Sequence, residues 1–212
     1  MKTTKFLYIA LVFISVLSCT KTKPEPDNIF RFKEYIAFNT FGEVSIASPI
    51  RVVLAQPTDQ YQNNQEIPSE YLVINPKTEG SFYIENGSTL LFKPQEPLRP
   101  DTEYSVTLKL SRFFEDIDPE YKNYTFGFKT ITPNFKLNLG NLQSYSKEWQ
   151  YLTGSVETSD QVDVTLASQL VRASQEGKNL HIDWPNEEQN GTFFNFTIDS
   201  IHRKKENSQI RI

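Results

Sequence analysis

Between Glu103 and Leu110 the chain alternates strictly: Tyr104, Val106, Leu108 and Leu110 are apolar, and Glu103, Ser105, Thr107 and Lys109 are polar. A period of two belongs to a strand with one face in a core and the other in water. Short runs of the same kind, divided by turn residues, recur through residues 30–131. They predict strands at 32–38, 50–54, 71–74, 81–85, 89–93, 103–110 and 124–130, the spacing of a β-sandwich. The clearest hairpin surrounds Asn86-Gly87. That pair accepts the two positive φ angles of a type I′ turn, which most residues resist.

Thr132-Pro133-Asn134 reads as a short linker, after which a second domain is expected over 135–212. Its predicted strands are 135–139, 151–157, 180–184 and 192–200, with Asn190-Gly191 turning between the last two. Between them lies one helix. Asp160 is its expected cap, with Asp163 three residues on as an imperfect capping box. Val162, Leu166 and Leu170, flanked by Ala167 and Val171, form its apolar stripe, and Gly177 suits its C-terminal stop. Residues 208–212 start a further strand whose partner is expected beyond the chain end, so the second domain reads as incomplete at its C-terminus.

The N-terminus follows a different pattern. Lys2 and Lys5 precede an apolar run, 6–17, broken only by Tyr8 and Ser15, and Cys19 follows at once. A charged start, an apolar stretch too short to span a bilayer and a cysteine at the cleavage point predict a lipoprotein signal peptide over 1–18. Cys19 is then the first mature residue and the lipidation site. Several acyl chains give durable anchoring, since each buried methylene contributes roughly 0.8 kcal/mol. Residues 19–29, polar and carrying Pro24 and Pro26, read as a tether. The expected location is the outer membrane, facing the periplasm or the cell surface.

Composition narrows the function. A net charge of −4 over 212 residues gives no electrostatic case for nucleic acid as a partner. With one cysteine there is no intramolecular disulfide, so the exported domains must rely on packed cores. Asp116, Asp118 and Glu120 have the spacing that opens a calcium loop, but Tyr121 stands where the turning glycine belongs and Gly127 where the bidentate glutamate belongs, so the run reads as a solvated loop. His181 and His202 lie in different predicted strands without a cysteine partner. Glu187 and Glu188 sit beside a turn as solvated charge. Gly-x-Ser-x-Gly, phosphate-loop and dinucleotide motifs are absent. The reading is therefore a non-enzyme without cofactor, metal or catalytic residues.

Two further stretches carry information. Leu98-Arg99-Pro100-Asp101-Thr102-Glu103-Tyr104, leading into the alternating strand, resembles the corner of fibronectin-type and bacterial Ig-like domains, where the tyrosine hydroxyl bonds nearby backbone and its ring fills the core. In order along the chain, Ser48-Pro49-Ile50-Arg51-Val52, this corner, Phe126-Gly127-Phe128-Lys129-Thr130, Leu152-Thr153-Gly154 and the expected helix end Ala173-Ser174-Gln175-Glu176-Gly177-Lys178 resemble the N-terminal part of the bacterial alpha-2-macroglobulin family, in particular large Bacteroidetes lipoproteins.

That resemblance implies a mainly β chain: an Ig-like β-sandwich over 30–131, then a macroglobulin-like β domain with one helix. It also implies the anchoring part of an envelope inhibitor that traps proteases, with proteases or other envelope proteins reached through further C-terminal domains. The family's bait region and Cys-x-Glu-Gln thioester are not in this sequence, so trapping transfers to no residue here. The alternative expectation is a cell-surface lipoprotein whose Ig-like domain binds glycan or matrix, favoured if Trp149, Trp184 or tyrosines line up exposed on one sheet.

Overall fold

A computed structural model describes residues 28–185 and 190–212. The chain is mainly β, as expected. Residues 1–27 lie outside the described part, and with them the predicted signal peptide, Cys19 and most of the tether; Glu187 and Glu188 also lie outside it.

The first region is a two-sheet sandwich. One sheet has the order β1-β3-β7-β6-β4, made of β1 (Ile36–Asn39), β3 (Ile50–Leu54), β7 (Thr89–Pro94), β6 (Gly80–Glu85) and β4 (Gln65–Ile67). The other has the order β2-β9-β8-β5: β2 (Glu43–Val44), β9 (Asn123–Thr130), β8 (Glu103–Lys109) and β5 (Leu72–Asn75). All pairings are antiparallel except β2 with β9. Alternation decides what goes inside. Along β8, Tyr104, Val106 and Leu108 are buried, while Glu103 is exposed and Ser105, Thr107 and Lys109 are partly so. Opposite them on β9, Phe128, Phe126 and Tyr124 are buried in register. The two inner faces meet in one continuous cluster that includes Ile50, Val52, Phe82, Ile84, Leu90 and Phe92. Asn86 and Gly87 take φ of 52° and 68°, and the Ser88 N–H donates to Glu85 O to close the turn.

The chain start departs from expectation. Residues 32–38 do not form one strand, and the chain is already helical from Asn28. A short helix, α1 (Asn28–Arg31), runs into a turn in which Tyr35 and Ile36 N–H groups both donate to Phe32 O. Phe32 and Ile36 are both buried at a spacing of four. One helical turn puts residues four apart on one face, which a strand also does but over more than twice the length. Leu110 likewise leaves the strand register for a 3₁₀ turn, Leu110–Arg112.

In the second region a sheet of order β10-β11-β15-β14 joins β10 (Phe135–Ser144), β11 (Trp149–Val162), β15 (Gly191–His202) and β14 (Ile182–Asp183). A small sheet, β13-β12-β16, joins β13 (Lys178–Asn179), β12 (Ser174–Gln175) and β16 (Ile210–Arg211). Along β15, Phe194 and Phe196 point into a core; both are 1% exposed. Gly154 lies beneath Phe196: a Cβ there would come within 2.3 Å of the ring and 2.9 Å of Asn138 O. Only glycine admits that approach.

Three expectations in this region are corrected. The helix is α2 (Val164–Gln169), six residues, and its cap is Asp163, whose Oδ1 accepts the Leu166 N–H at 2.8 Å. Asp160 remains in β11. The buried positions are Val164, Ala167 and Val171, whereas Leu166 and Leu170 stay exposed. The strand wins because β11 continues pairing to Val162 opposite Gly191, leaving too few residues for a long helix. Gly177 stops no helix: Glu176 and Gly177, with φ of 51° and 78°, form the two-residue turn joining β12 to β13. The terminal strand β16 has a partner behind it in sequence, β12, and forms the edge of that small sheet.

Candidate functional site

Two places in the fold gather side chains with something to do. The first is the junction of the two regions. β11 pairs with β15 through Glu157↔Phe193 and resumes at Val162↔Gly191, so residues 158–161 leave the ladder as a bulge. That bulge reaches the first region. The Asp160 carboxylate accepts the Ser45 hydroxyl on Oδ1 and the Ile46 N–H on Oδ2, the latter at 2.7 Å. Ser159 grips the linker: its Oγ donates to Thr132 O at 3.0 Å and accepts the Asn134 N–H at 2.9 Å, and its N–H donates to Asn134 O.

What Asp160 holds is itself braced. Ile46 O accepts the Leu98 N–H at 2.8 Å, and the Arg99 N–H donates to the Tyr104 hydroxyl at 2.9 Å. Tyr104 is buried and stacked on Phe128, with ring centroids 5.2 Å apart. The predicted tyrosine corner is therefore present and is the footing of the joint. Beside it, Lys129 pairs with Asp101 at 2.6 Å, and the Thr132 hydroxyl donates to the same carboxylate. Lys129 and that hydroxyl bond hold the Asp101 carboxyl below the usual aspartate range.

The second place is a groove of about 690 Å³ at the opposite end of β8, lined by Tyr61, Tyr71, Arg112, Phe114, Glu115 and Lys122 among others. The Arg112 guanidinium lies 5.3 Å from the Tyr71 ring centroid, and the Tyr61 hydroxyl donates to Arg112 O at 3.4 Å. Burial and the neighbouring Tyr71 push the Tyr61 hydroxyl's pKa up.

The residues singled out from sequence are dispersed. Asp118 caps the 3₁₀ turn Pro119–Tyr121 and Glu120 pairs with Arg31 at 2.8 Å, so two members of the acidic run have structural partners. Among the described residues no group of three or more His, Cys, Asp or Glu is placed to hold a metal. His202 stacks edge-on with Trp149 at 5.1 Å, while His181 O accepts the Asp199 N–H three residues earlier on β15. Trp184 leans on Phe196, half-buried, whereas exposed Trp149 shares the β10–β11 hairpin with Tyr145 and Tyr151, whose rings lie 6.0 Å apart.

Sequence reasoning missed the Asp160 joint, the groove and Gln175. Gln175 is 7% exposed; its Oε1 accepts the His202 N–H, and its Nε2 donates to His202 O and to Ser208 Oγ. The Glu176-Gly177 pair, readable as a hairpin turn, was the signal that would have exposed it.

No protein-family model matches the chain. Over 86 residues the sequence is 31% identical to a hyaluronidase of Dolichovespula maculata, a stretch that covers 38% of this chain and 23% of that protein. The chain thus spans under a quarter of the length of that relative.

Proposed function

We propose that this chain is a membrane-anchored envelope lipoprotein, the N-terminal anchoring and structural part of an alpha-2-macroglobulin-like protease inhibitor, without trapping chemistry of its own. The observation that carries the reading is how the first region is threaded. The chain enters at α1, where Arg31 meets Glu120 just before β9, and leaves at Thr132, just after β9. Eight residues of strand separate the two points by roughly 27 Å at 3.4 Å per residue. At the exit, Asp160 and Ser159 clamp the second region onto the tyrosine corner.

A module entered at one end and locked to its neighbour at the other is a spacer. Fixed to an outer membrane through lipid on Cys19, facing the periplasm or the surface, it would hold whatever follows at a set distance and direction. The expected partners are the membrane and, through further domains, proteases or other envelope proteins. Cys19 is the sole cysteine and its thiol is committed to the anchor, leaving none for a thioester.

Labelled palmitate tests the anchor. The wild-type chain is expected to take up label in a bacterial host, and Cys19→Ala to lose it; label retained by the variant would sink the anchoring claim. The second part is tested with the purified chain, which is expected to leave protease activity on large protein substrates unchanged. Measurable trapping by this chain alone would overturn it.

A further inference from the structure

We propose that the groove bounded by Tyr61, Tyr71, Arg112, Glu115 and Lys122 binds a linear, uncharged oligosaccharide. The proposal stands apart from the inhibitor reading, because it needs neither an anchor nor further domains. It relocates the surface-binding alternative from the tryptophans to the opposite end of the first region.

The lining chooses the ligand class. Tyr61 and Phe114 are half-buried and line the groove, and half-buried Tyr71 contributes its ring with the Arg112 guanidinium lying over it. Flat apolar patches of this kind suit the C–H face of a pyranose. Around them stand Gln60, Ser111, Arg112, Glu115, Asp116 and Lys122. These side chains supply both donors and acceptors, which is what sugar hydroxyls need, since each donates and accepts. Two cations face two carboxylates, so the groove carries no net formal charge and gives polyanions no foothold. An apolar ligand would leave those polar groups desolvated and unpaired. The groove lies open on the surface, where a sugar chain can reach it.

The site is also held in place before any ligand arrives. The Phe113 and Phe114 N–H groups both donate to Leu110 O, at 2.9 and 3.1 Å, fixing the loop that carries Arg112. Buried Phe113 props both tyrosines, at 5.8 Å from Tyr61 and 6.1 Å from Tyr71. Arg112 is parked over Tyr71 and Tyr61 is tied to its carbonyl. The aromatic rings and Arg112 are thus ordered before binding, which lowers their share of the cost of association. The groove sits at the far end of β8 from the Asp160 joint, so it stays free while the second region is clamped.

The test is amide chemical-shift titration of the full chain with cellohexaose, mannohexaose and chitohexaose separately. At least one sugar is expected to shift amides of 60–61, 71 and 111–117. Arg112→Ala removes an exposed side chain and is expected to weaken that sugar's binding at least tenfold with the thermal midpoint little changed. Absence of shifts with all three sugars would overturn both the site and the glycan-binding alternative. Shifts confined elsewhere, with Arg112→Ala binding normally, would overturn the site alone. A neutral proline-rich decapeptide that occupies the groove more tightly than any of the sugars would reassign it to protein recognition.

Discussion

The first region buries its apolar residues in a single cluster of 21, drawn from both sheets, whereas the second divides its own between clusters of six and three. The contrast follows from what covers each sheet. In the first region a full sheet closes over another. In the second, among the described residues, the four-stranded sheet is covered by α2, two-residue strands and the loop segments between them, and β10 is left at its edge with Phe135, Leu139 and Leu142 each more than two-fifths exposed. Two sheets share the work of exclusion across many residues. One sheet under short segments concentrates it in a few, chiefly Phe196 and Gln175.

That concentration is easiest to break at Phe196. Its ring is fully buried, touches Trp184 and roofs Gly154. Phe196→Ala should cost about 3–5 kcal/mol, within range of the whole stability of a small core. Both tryptophans, Trp149 and Trp184, lie in the second region, so their fluorescence reports on it alone. In urea, the variant's fluorescence transition should move well below the far-ultraviolet dichroism transition of the first region. Leu108→Ala, an equally buried change in the large core, should instead lower the dichroism transition while the fluorescence transition moves less. Coincident transitions in both variants would show that the two regions unfold as one, and the contrast would fall.

Gln175→Ala is expected to cost less, about 1–3 kcal/mol, the range for stranding a buried donor and acceptor on the His202 backbone. It should act locally. Amide exchange at His202 and through β12 and β16 should quicken while β8 and β9 keep their protection. Uniform loss of protection would mean that the small sheet is not a separate layer.

The same contrast decides what the sequence could say. A long strand with one face buried against a second sheet writes itself as alternation, and the strands β8 and β9, the Asn86-Gly87 turn and the Tyr104 corner were all legible. Where segments are short, period and length no longer separate helix from strand. Val162, Leu166 and Leu170 have helical spacing, yet Val162 pairs in β11 and the leucines face water. Phe32 and Ile36 had the reverse fate, a strand-like run resolved into a helical turn. The joint and the groove were not legible at all. Each brings together residues far apart in sequence, Ser45 with Asp160 and Tyr61 with Arg112, and only the fold sets that proximity.

Asp160 tests whether the small core leans on the large one. Asp160→Ala removes both acceptors for Ser45 Oγ and Ile46 N–H, bonds to a charged group worth about 1.5–3 kcal/mol each when fully formed, and less at this partly exposed site. The fluorescence and dichroism midpoints should move apart, and small-angle scattering should show a wider spread of dimensions than the wild-type chain. Unchanged scattering would mean that Ser159 and the linker hold the joint without Asp160.

The smallest effect is expected at Asp101, and its sign is fixed by its partners. Lys129 and the Thr132 hydroxyl hold its folded pKa below that of an unfolded aspartate, about 3.9. A lowered carboxyl pKa stabilises the folded chain above the unfolded value and loses that contribution as pH falls through the folded one. Asp101→Asn keeps a residue that tolerates the observed φ of 47° but gives up the charge. Its thermal midpoint should lie slightly below wild type at pH 7, and the gap should close as pH drops below about 4. Because the pair is exposed, high salt should narrow the gap as well. A gap that stayed the same in acid and in high salt would mean that the corner is held by Thr132 and Thr130 alone, and that the large core owes nothing to charge at the end where it meets the small one.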